Sequence, residues 1–468
     1  MKKMFKKHNL VKITTLAVLL TAILTWIIPT GYFSGTEFVS TDIARIGIKD
    51  LFLSGVYSIN YFLYQILFLL ALGGFYAVLS KIGGYKKLVE KLTQSIKGKE
   101  TVFILIVSFI FALLASLSTE IYHLIIFVPF IITILLNAKL DKITAFGATF
   151  GAILIGVIGA TYGGAGTSYI YGTLGLTAKT EILIKIVIFF ITYVLFSFFT
   201  ILKARKTLNS KKSVIEEDTF ELTGETKKAK IWPIVTLFAI IFIVHAIAYI
   251  PWADVFGIEM FNKAHTWHTE FTAGSHPIFS YILGETLAIG KWDLFSSVIL
   301  LIVITFIFKF IGKIKFDEYL NTLAEGAKKM LKPALLVMLV NVVFILVYWS
   351  NIVPTMVNFI TGLTNSFNIF TTSLAGLVSA LFHTDYGYTG FSMGSYFAAA
   401  YTENTSIIAV ALNAMNGFVQ FFAPTSVILM AGLAYLNIPY KDWMKHIWKF
   451  LLGILICLLL IFTLVVYL

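Results

Sequence analysis

Apolar residues in this chain gather into long unbroken runs, without the alternation of a strand or the one-sided stripe of a soluble helix. That is the pattern of helices surrounded by hydrocarbon, which need about 20 apolar residues to cross a bilayer. Runs long enough to cross fall at 11–29, 55–79, 143–172, 180–202, 231–250, 294–311, 333–350, 404–436 and 447–468. Two of them, 143–172 and 404–436, are too long and too rich in Gly, Pro and Ser for simple helices and predict broken spans. Two further segments, 101–137 and 367–401, each hold two apolar arms of fewer than 20 residues around a polar tip. Arms that short predict re-entrant hairpins rather than crossings.

The basic residues fix a direction for these spans. With a cytoplasmic N-terminus, the inner segments are 1–12, 81–100, 137–142, 203–230, 309–332 and 437–449, and they hold 30 of the chain's 36 Lys and Arg. The outer side holds only Arg45, Lys49, Lys263 and Lys291, while Lys179 and Lys185 belong to the span at 180–202. Such a split obeys the positive-inside rule, provided that both hairpins return to the side they entered from. The C-terminus then lies outside. The leading run, MKKMFKKHNLVK followed by ITTLAVLLTAILTWIIPTG, reads as a retained first helix ending at Trp26 and Pro29 rather than as a cleaved signal.

The order of elements repeats. Residues 1–202 read as two spans, a hairpin (about 101–137), a broken helix (about 143–172) and a closing span. Residues 294–468 repeat the five, with a hairpin at about 367–401 and a broken helix at about 404–436. Residues 231–293, a connecting helix and an outer loop, supply the odd crossing that inverts the second copy. The predicted fold class is therefore an all-α polytopic membrane protein with two inverted repeats, two re-entrant hairpins and two broken helices, an architecture of secondary transporters. The segment 203–230 is polar and of mixed charge, and predicts a flexible linker between the halves.

Composition agrees: 58% of the 468 residues are hydrophobic and 13% charged, with a mean hydropathy of +0.89, against about 25% charged in soluble domains. One cysteine, Cys457, excludes a disulfide framework and a cysteine metal site. The net charge of +12 reports orientation at the bilayer rather than a nucleic-acid partner. In the outer loop, His265, His268, Glu270 and His276 lack the spacing of a metal motif, and no metal is expected. His245 stands alone in a span and reads as a satisfied buried histidine; Glu181 and Lys185, four apart, read as an intrahelical pair.

The polar positions then fall into matching places. The first hairpin tip, ASLSTEIYH, sets Ser116, Ser118, Thr119 and Glu120 between two helix arms, where a helix start offers free N–H groups and partial positive charge. The second tip, HTDYGYTG, sets His383, Asp385, Tyr386, Gly387 and Tyr388 at the corresponding position. In the first broken span, GVIGATYGGAGT has five glycines in twelve positions, which unwinds a helix and makes Thr161, Tyr162, Gly163, Gly164 and Thr167 available for coordination. In the second, Asn413, Asn416 and Gln420 lie at helical spacing ahead of Pro424, Thr425 and Ser426, where Pro424 frees carbonyls. Ionisable groups at such depth are costly and are usually functional.

The stretch PTSVILMAGLAYLNIPYKDWMKHIWKF at 424–450 resembles the C-terminal pattern of the C4-dicarboxylate anaerobic carrier (DcuC/YfcC-type) family of the ion transporter superfamily. A second likeness runs from Glu120 through Pro129 to AKLDKITAFGA at 138–148 and the glycine-rich break after it. The resemblance implies a homodimeric secondary transporter in the cell membrane, in a family that also includes arginine–ornithine exchangers. The chain departs from the pattern at both tips. Thr119 precedes a single Glu120 where the family usually has two acids, and His383, Asp385 and Tyr388 replace a Gly/Ser-rich sequence.

Together these features predict a secondary active transporter of a small charged metabolite, with no catalytic residues and no cofactor. Glu120 and Asp385 at the tips, with no Lys or Arg in either tip or break, favour a basic amino acid such as arginine or ornithine. A C4-dicarboxylate or short-peptide carrier is the alternative. Na⁺ suits the hydroxyls and carbonyls as coupling ion, while either carboxylate suits H⁺. A membrane-embedded hydrolase would have residue types in His383, Asp385, His265 and His268, but not the spacing of a nucleophile and base.

Overall fold

In the computed structural model, which describes residues 9–162, 167–210 and 217–467, six helices among the described residues are long and apolar enough to cross a membrane. They are Leu63–Ser80, Glu100–Leu117, Ile182–Leu208, Leu294–Ile311, Phe316–Ser350 and Tyr440–Tyr467. Shorter apolar helices include Trp232–Ala248 and Ile369–Phe382. Strand structure among these residues is confined to two small antiparallel hairpins, Gly31–Ser34 with Glu37–Ser40 and Thr272–Ala273 with His276–Pro277.

Two runs fold differently from the hydropathy pattern. The run at 55–79 is divided at Phe62 between helices Ile48–Tyr61 and Leu63–Ser80. The run at 333–350 is the second half of a 35-residue helix, Phe316–Ser350, with Pro333 inside it. At 1.5 Å per residue this helix is roughly 52 Å long, well beyond the bilayer core. Its polar first half is invisible to a search for apolar runs.

Leu63–Ser80 and Phe316–Ser350 pack along one another. They close on glycine: a Cβ at Gly73 would lie 2.3 Å from Gly326 O, and one at Gly326 would lie 2.3 Å from Gly73 O. Asn341 Nδ2 donates to Gln65 Oε1 at 3.3 Å, and Ser58 Oγ to Met338 O at 2.6 Å, so buried polar groups are paired across the two halves.

Several of the remaining contacts come in matched pairs. Asn9–Leu24 packs on Phe316–Ser350 as Leu294–Ile311 packs on Leu63–Ser80. Glu100–Leu117 packs on Ala152–Ile158 as Ile369–Phe382 packs on Thr405–Val419. The two broken spans meet each other, Ala152–Ile158 against Thr405–Val419, and the closing helices Ile182–Leu208 and Tyr440–Tyr467 also touch.

The leading arm of the first expected hairpin, Glu100–Leu117, has 18 residues, roughly 27 Å of helix, and is itself apolar and long enough to cross a membrane. The return arm runs through a 3₁₀ segment, Tyr122–Phe127, into Val128–Asn137, with Pro129 in its first turn where a missing N–H costs nothing. The arm ends beside the helix that precedes the hairpin: Asn137 shares the lining of a cavity of about 400 Å³ with Lys86 and Glu90 of helix Gly83–Ser95. Just beyond, Asp141 caps helix Lys142–Phe146 through Thr144 N at 2.9 Å and pairs with Lys203 at 2.6 Å. Burial raises the Asp141 carboxyl, but Lys203 and Thr144 together hold it below the ordinary carboxylate range.

The described part of the linker, residues 217–230, makes defined contacts with both halves. Asp218 accepts from Thr133 Oγ1 in the first hairpin, and Thr219 Oγ1 donates to Tyr435 O in the second broken span at 3.3 Å. Thr223 N and Gly224 N both donate to Ser80 O, at 3.1 and 3.2 Å. Phe220, 2% exposed, sits against Tyr76 and Tyr435 with Lys329 over its ring. Mixed charge alone reads as solvated chain, but one buried aromatic offsets the ordering of its neighbours. Phe220→Ala is expected to release this segment, at about 3–5 kcal/mol of local docking. Limited proteolysis should then cut within 217–230 sooner than in wild type; an unchanged pattern would show that the polar contacts hold it alone.

The outer loop 251–293 also carries structure: helices Trp252–Phe256, Met260–Glu270 and Ile278–Leu283. Lys185 is buried, but it does not pair with Glu181. Glu181 has the left-handed φ of 52° ahead of helix Ile182–Leu208, and Lys185 Nζ donates to Ala178 O and lies 4.6 Å over the Tyr171 ring.

Candidate functional site

Each hairpin tip is built around a carboxylate that caps the helix after it. Glu120 Oε1 accepts from Ile121 N at 2.7 Å and Tyr122 N at 3.0 Å. Asp385 Oδ1 accepts from Tyr388 N at 2.8 Å and caps Tyr386–Thr389. In both cases one oxygen holds the helix start, where free N–H groups favour negative charge. The second oxygen makes no hydrogen bond or ion pair among the described residues. Glu120 is half-buried, whereas Asp385 is exposed, so the second tip is the more open.

The tips converge on one cluster of tyrosines. Tyr64, Tyr122 and Tyr386 lie near both the Glu120 and the Asp385 carboxylates. Gln420 Nε2 joins the cluster from the second break, donating to Tyr386 OH at 3.0 Å and to Asn416 Oδ1 at 3.0 Å. Asn416 Nδ2 and Asn413 Oδ1 are buried without partners among the described residues, as is Ser118 Oγ in the first tip. Buried polar atoms left open in this way are what a bound polar solute or ion would satisfy.

Each tip is stitched to the broken span of its own half. Thr161 N donates to Ser116 O at 2.9 Å, and the Ser116 and Thr161 hydroxyls lie 3.2 Å apart. In the second half Thr425 Oγ1 donates to Leu381 O at 2.8 Å. Both are threonines in a break bonding the last turn of a hairpin arm. The halves meet where a Cβ on Gly417 would lie 2.6 Å from Ile158 N, so the helix of the second broken span rests directly on the backbone of the first. Gly387 and Gly390 lie against Tyr169 and Thr173, beyond the first break.

Several of the expected residues also make structural contacts. Tyr388 is 4% exposed and donates its hydroxyl to Asn351 Oδ1 and Val347 O, anchoring the second tip to the end of the long helix. His383 is buried edge-on to that ring, with Nε2 3.3 Å from Ser379 Oγ. Thr119 donates both N and Oγ1 to Tyr249 O, anchoring the first tip in the same manner. Ser426 caps Val427–Tyr435. The carbonyls after Gln420 are not free: Trp443 Nε1 donates to Phe421 O and Tyr440 OH to Phe422 O. Pro424 thus opens the helix, and the IPYKDW stretch closes on it. Tyr162 packs on Phe256, Thr167 starts a π-helical turn, Thr167–Tyr171, and Gly163 and Gly164 lie outside the described residues.

Sequence reasoning missed Tyr64, Tyr122, Tyr249 and His123. His123 is fully buried and stacks on Tyr249 at 3.9 Å between centroids, with neither ring nitrogen bonded among the described residues. It lay three residues from Glu120, but a lone histidine beside an apolar run carries no pattern. His245 is a satisfied buried residue, bonded to Ile241 O and Ser297 Oγ. In the outer loop His265 meets Thr286 O and His268 stacks on Phe279, and no three metal-ligating side chains converge among the described residues.

Comparison with known proteins follows the same line. Two solved structures resemble the chain along its length. One is the YdaH transporter of Alcanivorax borkumensis, with 14% identity, 98% of each chain covered and a TM-score of 0.41. The other is MtrF of Neisseria gonorrhoeae, described within a class of antimetabolite efflux pumps, with 13% identity, 97% of this chain and 94% of that chain covered and a TM-score of 0.41. No curated protein matches the chain. The profile of the DcuC family, described as C4-dicarboxylate anaerobic carrier, matches residues 8–467. The chain therefore belongs to the DcuC family, and it is a membrane transporter rather than an enzyme.

Proposed function

We propose that the protein is a secondary active transporter whose substrate carries positive charge, most simply a basic amino acid such as arginine or ornithine. The observation that supports this is the pair of carboxylates, Glu120 and Asp385, around one tyrosine cluster with no ion-pairing Lys, Arg or His among the described residues. A cationic side chain would be held between the carboxylates, and the substrate's own carboxylate would accept from Asn416 Nδ2 and the Ser118 hydroxyl, while Asn413 Oδ1 would accept from its ammonium group. A dianion at the same place would meet two like charges without a side-chain cation.

The family's description favours a second reading, a C4-dicarboxylate carrier, in which Na⁺ or H⁺ bound at Glu120 and Asp385 offsets the charge. Uptake into proteoliposomes separates the two. Labelled arginine should enter and should exchange against internal arginine or ornithine. Succinate uptake that excess arginine leaves unchanged would overturn the cationic reading and establish the dicarboxylate one.

The matched packing of the two halves supports an inverted-repeat architecture, with residues 1–202 and 294–468 as the repeats. The lysine distribution supports a cytoplasmic N-terminus and an external C-terminus. A homodimer completes the proposal, on family resemblance.

A further inference from the structure

A second site lies away from the tips. A cavity of about 520 Å³ opens between helices Gly83–Ser95, Glu100–Leu117 and Trp232–Ala248 and the return arm of the first hairpin. Its lining is wholly apolar, and includes Leu88, Leu92, Phe111, Phe127, Phe238 and Ala239. Its volume is in the range of small-ligand pockets, yet it offers no polar group to orient a soluble metabolite. Two of its walls are helices at membrane depth, one of them apolar and long enough to span. The apolar solute available there is a lipid acyl chain.

The inner mouth says which lipid. Leu88 and Leu92 face the cavity one helical turn apart, and Lys87 and Lys91 each precede one of them and flank the same face. Lys86 and Glu90 lie on the other side of that helix and line a different cavity. The fourth wall begins at Trp232, directly after Lys227, Lys228 and Lys230. Gly84 abuts Lys230 O, and Lys87 Nζ lies 3.4 Å from Ala229 O, so the two basic segments are adjacent. Lys87, Lys91 and Lys230 are exposed and form no ion pair among the described residues. On the linker side Glu225 is exposed, with its backbone oxygen against Gly83, and it does not line the cavity.

We infer that this cavity is an anionic-phospholipid site, with an acyl chain among the phenylalanines and the phosphate headgroup at Lys87, Lys91 and Lys230. Because the first hairpin forms one wall, a bound lipid fills the seam between that hairpin and helix Trp232–Ala248. The inference does not depend on which solute is transported.

The test uses the full-length protein in nanodiscs, with phosphatidylglycerol or phosphatidylcholine carrying a photoreactive acyl chain, and peptide mapping of the adducts. Phosphatidylglycerol should label the cavity lining above the general lipid-facing level, and unlabelled phosphatidylglycerol should compete. Ala239→Trp, which fills the cavity, should remove that labelling; Leu92→Trp serves if the first variant does not fold. Lys87→Gln with Lys230→Gln should weaken the preference for phosphatidylglycerol by about fivefold per charge removed. Labelling spread evenly over the outer helices, or unaffected by cavity filling, would overturn the site. Equal labelling by both lipids would overturn the assignment of the headgroup. Protein–protein cross-links across the groove in place of lipid adducts would reassign it to a second copy of the chain.

Discussion

Glu120→Gln is expected to raise the concentration of arginine needed for half-maximal uptake by at least about tenfold, with the amount of folded protein unchanged. Removing one partner of a desolvated charge pair costs about 2–5 kcal/mol, and each 1.4 kcal/mol is a factor of ten. Folding should survive because the amide oxygen can still accept from Ile121 N and Tyr122 N, the two bonds that start the return arm. Asp385→Asn keeps its bond to Tyr388 N in the same way, but Asp385 is the more exposed of the two carboxylates. Its effect on affinity should therefore be the smaller of the two. The opposite ranking would mean that substrate binds at the open second tip, and no effect from either would remove both carboxylates from the site.

A proton-carrying role gives a different signature. If Glu120 carries the coupled H⁺, Glu120→Gln should still exchange internal for external substrate but lose its response to an imposed pH gradient. Counterflow and gradient-driven uptake, measured on the same liposomes, tell the two roles apart.

The place of Glu120 and Asp385 between two helices is legible in the sequence, because each stands as a lone carboxylate between apolar arms. The matching breaks were legible for a related reason: five glycines in twelve residues and a proline in a 33-residue run are visible in any hydropathy trace. What surrounds them was not. Tyr64 comes to Glu120 from a different helix, and Tyr249 from beyond the linker, contacts that local pattern cannot encode. Tyr388 stands three positions from Asp385, and its bond to Asn351, far along the chain, is a contact that local pattern does not encode. The likeness at 424–450 was recognisable, but its cause appears only in three dimensions, where Tyr440 and Trp443 close on the carbonyls beside Pro424. The contacts of 217–230 were not legible for the same reason: charge pattern describes solvation, and Phe220 is decided by packing.

The largest effect on folding should come from Gly326, which no sequence pattern singled out. A side chain there meets the Gly73 carbonyl at 2.3 Å and the Ala77 Cβ at 2.6 Å, and the first of these is backbone that cannot rotate away. Close approach of small residues is how helices associate in lipid, where no hydrophobic gain is available to compensate a wider crossing. Leu63–Ser80 and Phe316–Ser350 carry the paired Gln65 and Asn341, so parting the crossing also threatens a buried polar bond. Gly326→Leu is expected to give no monodisperse protein by size exclusion in mild detergent. Gly326→Ala should fold with stability lower by about 1–3 kcal/mol. Gly417→Ala provides the comparison, because it wedges the broken spans apart at Ile158 and leaves the glycine crossing untouched. It should lose uptake more than thermal stability, whereas Gly326→Ala should do the reverse. Equal loss of both in the two variants would mean that the broken spans and the long-helix pair unfold as one unit.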